Sequence, residues 1–131
     1  MTDRDWRRLS SRDAFTLTCL AYAVVWGAVT IAGERGRWSG PVFAVAREFA
    51  GGPTSWGTAL IVFAALAVLG VLREDRILAQ AGLVMCLLWS VAFAACLGAA
   101  AFHDPNATWT GVVTWAFHAL LFFVAASRAT W

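Results

Sequence analysis

The chain predicts an all-α fold: a polytopic membrane protein with four transmembrane helices in an antiparallel bundle. A short amphipathic helix is expected in the first extracytoplasmic loop. Two observations carry this. Of the 131 residues 60% are hydrophobic, well above the usage of water-soluble domains. The charged residues also avoid four long apolar runs, Ala14–Gly33, Ser55–Leu72, Ile77–Phe102 and Thr108–Ser127. A helix needs roughly 20 apolar residues to cross the hydrocarbon core, so each run is long enough to span. A soluble helix would keep a polar face, and these runs offer none. The spans fill most of residues 1–131, which leaves one transmembrane domain and no room for a separate soluble one.

The first run follows an arginine-rich lead-in, where Ser10 and Asp13 could form a capping box and Trp6 could rest at headgroup level. The run is longer than the roughly 7–15 apolar residues of a signal peptide, so it reads as a retained helix. Residues 40–50 predict the interfacial helix. Ser39 can cap it, Pro41 suits its first turn, and Gly51-Gly52-Pro53 stops it. Val42, Val45, Ala46 and Phe49 share its apolar side, with Phe43 and Trp38 adding bulk and Arg47 and Glu48 opposite. Arg73-Glu74-Asp75-Arg76 can only turn the chain back, which makes the second and third spans antiparallel neighbours. His103-Asp104-Pro105 marks the last turn, before the fourth span.

Every basic residue is an arginine, and their placement orients the chain. Arg4, Arg7, Arg8, Arg12, Arg73, Arg76 and Arg128 share one side against Arg35, Arg37 and Arg47. The positive-inside rule then puts both termini in the cytoplasm. A formal net charge of +2, held close to the apolar runs, gives no reason to expect nucleic acid. The lipid bilayer is the expected surrounding.

Ser55-Trp56-Gly57 and Thr108-Trp109-Thr110 open their runs alike, and Tyr22–Trp26 resembles Met85–Trp89. These pairs suggest two parallel hairpin repeats. The tryptophans are otherwise expected at the membrane interfaces, with Trp115 the deepest.

His118 is the ordinarily ionisable side chain deep in a span, roughly 15 Å below Thr108. Intramembrane histidines hydrogen-bond a neighbouring helix, gate or relay protons, or ligate a cofactor. Thr114, Ser90 and Thr30 are its candidate partners. The other histidine, His103, lies at a different depth, so a bis-histidine haem is disfavoured and no cofactor or metal is expected. Cys19, Cys86 and Cys96 show no ligand spacing and read as small apolar residues. No span carries Asp, Glu or Arg, and no nucleophile–base pair is visible. Enzymatic activity is therefore not expected, and no catalytic residue is assigned.

Small residues recur at helical spacing. Ala92-Cys96-Ala100 and Ala95-Ala99 mark the third run, Ala23-Gly27 and Ala28-Ala32 the first. Such faces let backbones approach closely, within one bundle or between subunits, so Ala92, Cys96, Ala100, Ala23 and Gly27 are candidate interface residues.

The stretch Ala46–Gly70, in which a short amphipathic segment is followed by Gly-Gly-Pro and then Trp-Gly at a helix start, resembles small four-helix membrane proteins of actinobacterial phages and prophages. That resemblance implies a bacterial inner-membrane protein, holin-like and permeabilising, that works as a homo-oligomer. It also allows a prophage exclusion or accessory subunit acting in a complex with another membrane or phage protein. A small channel, carrier or redox subunit centred on His118 is a further reading of the residues.

Overall fold

The computed structural model describes residues 11–33, 37–48 and 51–128. The expected capping box at Ser10, the lead-in with Trp6, and Phe49 of the loop helix lie outside the described residues. Among the described residues five α-helices form: α1 Ser11–Ala32, α2 Ala44–Glu48, α3 Gly52–Leu72, α4 Arg76–His103 and α5 Thr110–Arg128. Four of them, α1, α3, α4 and α5, are long and apolar enough to cross a membrane. They are the expected spans, and the chain is a multi-pass, all-α membrane protein.

The surface supports this as strongly as the lengths do. Val25 is 61% exposed on α1, Leu88 55% on α4 and Phe117 56% on α5, and Val62, Leu66 and Leu69 are exposed on α3. Water would not tolerate so much contiguous apolar surface, whereas lipid tails are as apolar as leucine.

Local chemistry explains the helix ends. Gly51 adopts φ 86° ahead of α3, and Pro53 sits in the first turn, where a missing N–H costs little. The triplet expected to stop the loop helix starts α3, three residues before Ser55. Between α3 and α4, the Asp75 N–H donates to the Gly70 carbonyl (2.9 Å) and the Glu74 N–H to the Val71 carbonyl (3.2 Å). This pair of bonds is a Schellman closure, with Glu74 at φ 56° in the place glycine usually takes. Asp75 then caps α4, its carboxylate accepting from the Leu78 N–H at 3.0 Å. At the last turn the Asp104 carboxylate accepts from the Asn106 N–H (2.8 Å), so His103-Asp104-Pro105 is the polar turn expected.

The helices pack as a ring in the order α1, α3, α4, α5, with α1 and α5 touching only lightly to close it. Glycines set two of the seams. At Gly27 an added Cβ would lie 2.8 Å from the Gly57 carbonyl oxygen, and at Gly57 one would lie 2.6 Å from that of Gly27. The α1 and α3 backbones therefore meet directly. Nearer the 73–75 turn, Gly70 lies against the Ala79 backbone and Gly82 against that of Ala67.

The suggested hairpin repeat is not carried into the packing as a two-fold. A two-fold relating the α1–α3 and α4–α5 hairpins would make the α3–α4 and α5–α1 seams equivalent. The first is broad and the second thin. Trp56 and Trp109, offered as counterparts, also differ: Trp56 packs inside and Trp109 is exposed against Phe102.

The loop over residues 37–48 is not one helix. Two single 3-10 turns, Arg37–Ser39 and Pro41–Phe43, precede the five-residue α2. Gly40, rather than Ser39, takes the capping position, and Pro41 lies in the first turn as anticipated. The segment packs on α4 and α3, burying Trp38 and Ala46 while Arg47 and Glu48 stay exposed. Val42 and Phe43 are half-buried against the core. The loop is a cap pressed onto the bundle.

Candidate functional site

The middle of the bundle is filled by aromatic rings drawn from every span. Trp89 and Phe93 of α4 stack at 5.0 Å, and Trp56 of α3 meets Phe93 edge-on at 5.2 Å. Trp115 of α5 stands against Trp89 at 5.0 Å and against Trp26 of α1 at 5.3 Å. From the loop, Trp38 reaches Phe93 at 5.6 Å. Edge-to-face pairs at these separations each add about 1 kcal/mol beyond simple area burial.

This corrects the expectation that the tryptophans mark membrane interfaces. Trp38, Trp89 and Trp115 are buried, and Trp26 and Trp56 pack partly buried against the core. For Trp89 and Trp56 the indole N–H finds a partner inside. Trp89 Nε1 donates to the Trp56 carbonyl (2.9 Å), and Trp56 Nε1 donates to the Ala46 carbonyl (2.9 Å). These two bonds tie α4 to α3 and α3 to α2. Trp26 Nε1 is buried and has no partner among the described residues.

His118 lies at the thin α1–α5 seam, half-buried. Its ring stacks on Tyr22 of α1, centroids 4.6 Å apart and planes 10° from parallel, and leans on Trp115 at 5.1 Å. The expected bond to a neighbouring helix does not form. Nδ1 lies 2.7 Å from the main-chain oxygen of Thr114, one turn back on the same helix. A carbonyl cannot donate, so Nδ1 is the donor in this bond, and in the neutral form of the ring Nε2 is an acceptor. Ser90 is turned away, its hydroxyl donating to the Cys86 carbonyl at 2.9 Å, and Thr114 Oγ1 donates to the Thr110 carbonyl. Among the described residues no three His, Cys, Asp or Glu side chains cluster as metal ligands would.

The small-residue faces divide. Gly27 is spent against α3, and Ala23, Cys96 and Ala100 are buried within the bundle. Ala92, Ala95, Ala28 and Ala32 remain exposed. Sequence reasoning found His118 and missed Tyr22. The missed signal was depth, since Tyr22 stands mid-span in α1 as His118 does in α5. No family model, curated protein or solved structure matches the chain.

Proposed function

We propose that this chain is a non-enzymatic protein of the bacterial inner membrane, with cytoplasmic termini, that self-associates and permeabilises in the manner of a holin. One observation carries the reading. The interior is blocked by contiguous rings while large apolar side chains cover the outside of all four spans. A permeation path would therefore run between copies, formed when helix surfaces exchange lipid for one another. Exposed small residues on α1 supply a surface for that exchange. Inducible expression with a membrane-potential dye tests it. Collapse of the potential with growth arrest is expected; unchanged potential at high expression rules it out.

A second reading, an exclusion or accessory subunit acting through a protein partner, draws on α5. It is the least buried span and exposes Phe117, Leu120 and Phe123. Purification in mild detergent separates the two, because a stoichiometric foreign protein favours the second reading and a homo-oligomer the first.

A further inference from the structure

The α1–α5 seam holds polar atoms that the bundle itself leaves unsatisfied in the hydrocarbon. Tyr22 is 41% exposed, and its hydroxyl has no hydrogen-bond partner among the described residues. Beside it His118 uses Nδ1 on its own helix and leaves Nε2, an acceptor in the neutral form of the ring, without a partner among the described residues. A phenol and an imidazole at mid-span are costly in lipid unless something pairs with them. One patch therefore offers one donor and one acceptor, stacked at the same depth.

We propose that this seam is a homodimer surface, on which a two-fold axis along the membrane normal brings the Tyr22 hydroxyl of each copy to His118 Nε2 of the other. The inference rests on the self-association reading and names the surface it uses. A patch that holds both donor and acceptor is self-complementary, which an isologous contact requires. An axis along the normal preserves depth, so groups level with each other in one copy meet their counterparts in the next.

The helix surfaces flanking the pair fit this arrangement. On the outward side of Tyr22, α1 exposes Thr18, Ala21 and Val25, which are small or short. On the outward side of His118, α5 carries Thr114, Phe117 and Leu121, the first two exposed and the third half-buried. Each set follows three- and four-residue steps, so α1 of one copy can receive the bulkier α5 of the other along an antiparallel seam. The four helices around the axis would be α1 and α5 of each copy, with the Tyr22–His118 pairs between them.

Crosslinking of the full chain in native membranes tests the geometry. Two co-expressed, differently tagged copies would carry Ala21→Cys and Phe117→Cys, with Leu88→Cys on α4 as the comparison site and the wild-type chain as background. Oxidation is expected to link Ala21→Cys to Phe117→Cys and to leave Leu88→Cys unlinked. A dimer that links through Leu88→Cys, or not at α1 and α5, overturns the surface while self-association stands. A chain that is monomeric at every protein-to-lipid ratio overturns both. Tyr22→Phe keeps the ring and removes the hydroxyl, so the dimer dissociation constant should rise roughly threefold to tenfold with the two symmetric bonds lost. An unchanged constant, with the variant folded by near-UV dichroism, would refute the hydrogen bond.

Discussion

The two ends of the α3–α4 pair solve one packing problem by opposite means. Toward the 73–75 turn the helices touch through Gly70, Ala79, Gly82 and Ala67, so that backbone meets backbone. Toward the loop they spread around Trp56, Trp89 and Phe93, and rings fill the gap. Water supplies no hydrophobic drive inside a bilayer, so both ends depend on dispersion contacts that lipid would make less well. The small-residue end gains them by proximity and cannot yield. The aromatic end gains them by shape and adds indole hydrogen bonds, so its individual parts can be trimmed.

That contrast can be broken most directly at Gly82. Gly82→Val places side-chain atoms on the Ala67 backbone, and neither helix can retreat without opening the seam. A loss of about 3 kcal/mol is expected in detergent-micelle unfolding, at the upper end of overpacking effects. Phe93→Ala attacks the other end. It empties the centre of the ring cluster and should cost about 2 kcal/mol, less than in a water-soluble core because the unpacked state is also apolar. If Phe93→Ala proved more damaging than Gly82→Val, the assignment of rigidity to the glycine end would be reversed.

The turn contributes next. Asp75→Ala removes the cap on Leu78 and is expected to lower stability by about 1 kcal/mol, without altering the near-UV spectrum of the distant rings. The finest comparison sets two indoles against each other. Trp89→Phe gives up the bond to the Trp56 carbonyl and should cost about 0.6 kcal/mol, as interhelical bonds in membranes do. Trp26→Phe removes a buried N–H that has no partner among the described residues, so stability should stay level or rise slightly. Equal losses in both variants would mean that ring volume, and not hydrogen bonding, sets the energetics of the cluster.

The spans were legible because a charge-free run is a direct statement about solvent. Their ends shifted by only a few residues, as at α3, whose first turn takes in Gly52-Pro53. The tryptophans were not legible. An indole suits an interface or a core equally, and for Trp56 and Trp89 the core offers carbonyls, those of Ala46 and Trp56, that only the folded chain brings within reach. His118 stood out by its depth, yet its partner did not. Stacking on Tyr22 depends on which way α1 and α5 rotate, and the apolar residues around both leave no periodic trace of that. The small residues showed where close approach was possible. Which of them face inward was decided by the ring order of the helices.

Rings that touch in sequence from Trp26 through Trp115 and Trp89 to Trp56 form one optical unit. Indoles this near exchange excitation, so their ultraviolet transitions mix and give a chiral signal larger than isolated chromophores would. Light absorbed by any of them is shared with neighbours on other helices. The fold thereby carries a built-in gauge of helix separation, readable in an intact membrane without a label.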